Sequence, residues 1–69
     1  MIRAGERVQV IDFGDEHYGE HGTVTRAEYP AILTGRPMVE VLIDGQRELH
    51  DIGFYSEQVQ VEHSLRVVA

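Results

Sequence analysis

Cysteine is missing from this chain, and so are lysine and asparagine. Without cysteine there is no disulfide staple and no thiolate metal site. A domain of 69 residues must then hold together through compact β packing, a partner or self-association, because a chain this short buries only about 60–65% of its unfolded surface. Without lysine, all six basic residues are arginine, set against twelve acids for a formal net charge of −6. A general nucleic-acid binder gains affinity by neutralising phosphates with Lys and Arg. This chain repels a polyanion at long range unless its arginines gather on one face, and its field favours a basic partner surface. Long apolar runs are lacking too. The opening MIRAGERV has none of signal-peptide length, and nowhere do the roughly eighteen apolar residues of a membrane span occur in a row. The expectation is a soluble, cytoplasmic protein with no membrane partner. No segment of helix length has convincing helical spacing.

What the chain does have is β patterning. Glu6–Asp12 alternates, with Val8 and Val10 on one face. His21–Glu28, centred on Val24, is rich in β-branched residues. Tyr29–Pro37 holds both prolines and a glycine and reads as a loop, although Ala31, Ile32 and Leu33 are apolar for a surface loop. Met38–Asp44 is the strongest strand, with Val39, Val41 and Ile43 on one face and Met38, Glu40 and Leu42 on the other. Asp44-Gly45 follows at once and predicts a two-residue type I′ hairpin turn, returning along Gln46–Ile52. Gly53–Gln58 breaks the alternation and predicts a single helical turn. Val59–Glu62 gives a fifth strand, and residues 63–69 form a tail. The predicted fold is all-β: a small five-stranded barrel over residues 1–62, with a short helical turn before the last strand.

The densest feature is FGDEHYGEHGTV, Phe13 to Val24. Its glycines could cradle a phosphate through backbone N–H groups, but that chemistry wants a helix N-terminus behind the loop and a lysine nearby. The structural reading is that Gly14, Gly19 and Gly22 supply positive φ or close backbone approach at a bent strand junction, as Gly45 supplies positive φ in its turn. His17 and His21 lie four apart, and on a helix they could share a zinc ion. Three glycines argue against a helix, and His50 or Asp51 would have to complete the ligand set. Solvated loop histidines and no metal or cofactor are the expectation. For catalysis, Ser56 beside Glu57 and Ser64 beside His63 offer no triad geometry, so no enzyme is expected. Phe13 and Phe54 are read as plugs of the barrel ends. Tyr18, Tyr29 and Tyr55 can pack a ring and keep a wet hydroxyl.

The layout resembles an SH3-like barrel, more narrowly the KOW type of ribosomal proteins and transcription elongation factors. The resemblance rests on Gly5-Glu6-Arg7-Val8-Gln9-Val10, then Gly14, Gly19 and Gly22 before Val24, then the turn at Asp44-Gly45, and Phe54 with Ser56–Val61. The same plan is similar to a small acceptor-side photosystem subunit and to some plasmid-borne reductases. The resemblance implies a nucleic-acid-associated module of transcription or translation, with basic residues in the glycine loop. This loop departs from that pattern: it carries Asp15, Glu16, His17, Glu20 and His21 and no base. The reading that follows is a non-catalytic module that docks a protein partner with a basic surface through Asp15, Glu16, Tyr18 and Glu20, alongside Tyr29 and Tyr55. The nucleic-acid module stays as an alternative, as do an accessory or phage-type inhibitor acting on a basic site and a homo-oligomer built on the apolar loop.

Overall fold

The computed structural model describes residues 1–46 and 50–62. They form one five-stranded antiparallel sheet: β1 (Arg7–Val10), β2 (His21–Pro30), β3 (Pro37–Ile43), β4 (Ile52–Tyr55) and β5 (Val59–Val61), with a 3₁₀ turn at Ser56–Gln58 between the last two. The strand order is β4–β3–β2–β1–β5. The all-β reading and the helical turn directly before the last strand therefore hold. β4 and β5 are the two edges of the sheet, so it is open and the ladder does not close into a barrel.

Alternation decides which side chains go inward. Val8 and Val10 on β1, Val24 on β2, Val39, Val41 and Ile43 on β3, Phe54 on β4 and Val59 on β5 form one buried cluster. Ile2, Ile52 and Val61 pack against it. Phe54, only 1% exposed, is the single aromatic among them. The opposite face of β3, Met38, Glu40 and Leu42, is half-buried. β-Branched side chains suit this plan because their restricted χ1 fits a pleated, half-covered surface.

β2 bends. Its register against β3 runs Gly22↔Ile43, Thr23↔Leu42 and Val24↔Val41, then shifts to Arg26↔Glu40 and again to Tyr29↔Met38. Each shift places an extra residue on β2, as in a bulge, which kinks the strand and increases its twist. At the start of β2, Gly22 lies so close to β3 that an added Cβ would stand 2.6 Å from both the Leu42 carbonyl oxygen and Val41 Cγ1. Only glycine fits there. The N-terminal segment follows β2 through bonds from Gly5 N–H to the Val24 carbonyl (2.7 Å) and from Glu28 N–H to the Ile2 carbonyl (3.1 Å).

Three sequence expectations change. The segment Tyr29–Pro37 is not all loop: Tyr29 pairs with Met38 and Pro30 with Pro37, so β2 and β3 form a hairpin closed by residues 31–36. Proline is tolerated at both strand ends because it lacks only a ladder donor there. The two-residue turn at Asp44-Gly45 does not carry the return strand. Gly45 has φ +72°, but Val41 pairs with Ile52, so β4 starts well past the turn and takes in Gly53–Tyr55, read from sequence as helical. Part of the expected return strand, residues 47–49, and the tail, residues 63–69, lie outside the described residues. Phe13 is no plug: it is 84% exposed.

Candidate functional site

Two surface features bring the sequence-predicted site residues into view. The first is a groove beside the β2–β3 hairpin. Tyr29, Met38 and Tyr55 are cross-strand neighbours on β2, β3 and β4, and with Ala31, Ile32 and Leu33 they line a groove of about 410 Å³. The hairpin explains this placement. Ala31 N–H donates to the Arg36 carbonyl and Gly35 N–H to the Ala31 carbonyl, both at 2.8 Å, which curls the loop and turns Ala31 inward. Ile32 and Leu33 are left at the crest, 99% and 97% exposed.

Each tyrosine of the groove is capped by an arginine. The Arg26 guanidinium lies 3.7 Å from the Tyr29 ring centroid and donates to Glu40 Oε2 at 3.3 Å. The Tyr29 hydroxyl donates to the same oxygen at 3.1 Å. Desolvation first, and then this bond to Glu40, raises the Tyr29 pKa above the usual phenol value. Arg36 lies 4.0 Å from the Tyr55 ring centroid and forms an ion pair with Glu57. Both sites share one composition: a tyrosine face, a guanidinium on it and a carboxylate holding the guanidinium.

The second feature is the loop of residues 11–20 between β1 and β2, which is heavily self-bonded. Asp15 N–H donates to the Asp12 carbonyl and Tyr18 N–H to the Asp15 carbonyl, both at 3.0 Å; Gly19 N–H donates to the Val10 carbonyl at 2.9 Å. Gly14 N–H and His17 N–H donate to the side chains of Asp12 (3.0 Å) and Asp15 (2.8 Å). Gly19 has φ +84°, whereas a Cβ on Gly14 would meet only Asp12 Oδ1 at 3.5 Å. His17 packs edge-on against core Phe54 at 6.1 Å and bonds Glu20 at 2.6 Å, which seats the loop on the core. Phe13 and Tyr18 stack on each other outside, centroids 4.5 Å apart with an interplanar angle of 25°.

The loop is joined to the 3₁₀ turn through Gln58. Its side-chain amide donates to Asp12 Oδ2 at 2.7 Å, and its amide oxygen accepts from Tyr55 N–H at 2.8 Å. These bonds, the Gln58 donor before the Gly14 N–H, hold the Asp12 carboxyl below its ordinary pKa. Ile11, Asp12, Arg36, Tyr55, Glu57 and Gln58 line a second hollow of about 400 Å³ there.

The predicted residues therefore divide. Tyr29 and Tyr55 share the groove with Met38, while Tyr18 pairs with Phe13 on the loop that also carries Asp15, Glu16 and Glu20. The two histidines turn to different carboxylates, His17 to Glu20 and His21 to Glu62. Among the described residues no group of three or more His, Asp or Glu is placed to hold a metal ion. The Ser56 hydroxyl is enclosed without a hydrogen-bond partner, and Glu57 is engaged by Arg36. Sequence reasoning singled out Ile32 and Leu33 as an apolar stretch inside a proline-bounded surface loop, and the structure exposes both. It missed Phe13 and Met38 as surface-forming residues. Among the described residues no helix is long and apolar enough to cross a membrane. Comparison with protein-family models, curated proteins and solved structures gave no match.

Proposed function

We propose that this protein is a non-catalytic, SH3-like binding module whose partner is another protein. The observation that carries the reading is the groove of Tyr29, Met38 and Tyr55 beneath the exposed crest of Ile32 and Leu33. Neither crest side chain contributes to the core, and two adjacent large apolar residues left in water are the mark of a contact surface. Tyrosines capped by arginines suit a protein interface, where aromatic and Arg anchors dominate binding energy. The glycine-loop acids Asp15, Glu16 and Glu20 would steer a basic partner and set its orientation. The bent β2 and the 3₁₀ turn joining the two sheet edges support the SH3-like, KOW-like reading of the fold.

A nucleic-acid role finds less support. Among the described residues, three of the four arginines, Arg7, Arg26 and Arg36, are each matched to a carboxylate of this chain, Asp44, Glu40 and Glu57, and a guanidinium already paired in this way is less available to neutralise phosphates.

The test is cross-linked affinity capture with wild type and with a Leu33→Ser, Tyr55→Ala double variant. Wild type should enrich a defined protein that the variant loses by tenfold or more, with both proteins equally folded by circular dichroism. Equal capture by both, or a wild-type haul dominated by RNA, would sink the reading.

A further inference from the structure

We propose that the Phe13–Tyr18 stack is a receptor for an arginine side chain of the partner, an inference that rests on the protein-binding reading above. The protein supplies its own precedent. At Tyr29 and at Tyr55 an aromatic face and a carboxylate together hold a guanidinium, Arg26 with Glu40 and Arg36 with Glu57. At the Phe13–Tyr18 stack the aromatic face is present, and an exposed carboxylate, Glu16, stands two positions away in the same loop. Among the described residues no arginine lies over either ring.

The stack is otherwise unexplained by folding. Phe13 keeps 84% of its surface in water and Tyr18 keeps 47%, so the pair adds little to the core, whose aromatic is Phe54. The loop around it carries Asp12, Asp15, Glu16 and Glu20 and no lysine or arginine. Three of these acids are occupied: Asp12 by Gly14 N–H and Gln58, Asp15 by His17 N–H, Glu20 by the His17 ring. Glu16 is held by no hydrogen bond. Its one ionic neighbour is His17 Nε2 at 3.8 Å, and its side chain is 86% exposed. An exposed carboxylate two residues from Tyr18, held only by that long ionic contact, adds charge complementarity to a cation.

Arginine is the better fit over lysine. A planar, weakly hydrated guanidinium stacks on a ring while its N–H fork reaches a carboxylate, whereas a compact ammonium keeps its water. The dense backbone bonding of the loop fixes the rings beforehand, so little order has to be imposed on binding.

The probe is a pair of capped heptapeptides of alternating Gly and Arg or alternating Gly and Lys, titrated into ¹⁵N-labelled protein and followed by NMR. The arginine peptide should shift the amide and ring signals of Phe13 and Tyr18 most and bind about fivefold tighter than the lysine peptide. Phe13→Ser or Tyr18→Ala should remove that preference, Tyr18→Phe should keep it, and Glu16→Gln should weaken both peptides, the arginine peptide more. All three positions are exposed, so the amide spectrum should otherwise be unchanged. Equal affinity for the two peptides, or an arginine preference that survives loss of both rings, overturns the proposal and leaves only diffuse attraction to an acidic loop. The wider reading fails separately, through capture that is indifferent to Leu33→Ser and Tyr55→Ala.

Discussion

Single residues of this protein carry sharply different structural demands, and its glycines show the range. Gly22→Ala would force a Cβ to within 2.6 Å of the Leu42 carbonyl oxygen and Val41 Cγ1. β2 and β3 would have to part, at a cost of about 2 kcal/mol, readable as a lowered urea midpoint. Gly14→Ala meets only Asp12 Oδ1 at ordinary contact distance, 3.5 Å, and should stay within about 0.5 kcal/mol of wild type. In the sequence the two glycines look alike, because nothing local distinguishes a glycine pressed against a neighbouring strand from one in a roomy turn. Acids differ in the same way. Arg7 donates to both Asp44 oxygens and Gln58 and Gly14 donate to Asp12, and both carboxyls titrate below their unfolded value. Stabilisation from a carboxyl with a lowered folded pKa is complete above the unfolded value of about 3.9 and is lost as pH falls through the folded one. Thermal scans should show stability falling below about pH 4, and Asp12→Asn with Asp44→Asn should flatten that limb. Tyr29 acts at the other end. Its raised pKa favours the neutral phenol in the folded state, so its contribution is complete below about pH 10 and is lost as pH rises through the folded value.

At the scale of elements, the strands were legible and their connections were less so. Val8 with Val10, and Val39 with Val41 and Ile43, declared their buried faces by period-two alternation, and the structure buries all five. Alternation does not report where a chain turns back. Asp44-Gly45 forms its turn and the Asp44 side chain pairs with Arg7 on β1, while among the described residues the return strand pairs with β3 from Ile52, opposite Val41, a register that a two-residue turn at Asp44-Gly45 would not give. Prolines at 30 and 37 concealed a hairpin because each sits where a missing N–H costs little. The candidate site was legible residue by residue and not as a surface: Tyr29 and Tyr55 are twenty-six positions apart and meet only through Met38. The 3₁₀ turn gives an element-level prediction. Gln58 is the one side chain that bonds both Tyr55 N–H and Asp12. Gln58→Ala should cost about 1 kcal/mol and raise the Asp12 pKa, visible by carboxyl NMR titration, with the β1–β2 ladder unchanged.

For the whole molecule, the limiting quantity is core size. Eight buried side chains make up the main cluster, and Phe54 is the largest of them. Phe54→Ala should cost about 3–5 kcal/mol, against a total stability of roughly 3–10 kcal/mol for a chain of this length. The variant should be largely unfolded at 37 °C by circular dichroism, whereas Phe13→Ser should melt with wild type. The outer surface is economical in another way. Three of the arginines are matched by carboxylates at short range, so the acidic excess is left to set the far field, and solubility should be lost mainly as pH approaches the isoelectric point near 5.0.

The register of β2 against β3 turns that small core into a question of lengths. From Gly22 to Pro30 one strand takes eight steps, while from Ile43 to Pro37 its partner takes six. Two paired ribbons of unequal length cannot lie flat, and the surplus of about 7 Å must be taken up as curl. Curvature in this protein is thus stored as an arithmetic mismatch between neighbours. Deleting Thr25 alone would halve the surplus, and the sheet should open by a corresponding degree, letting water reach Val24 and Val41 without any change in the composition of the core.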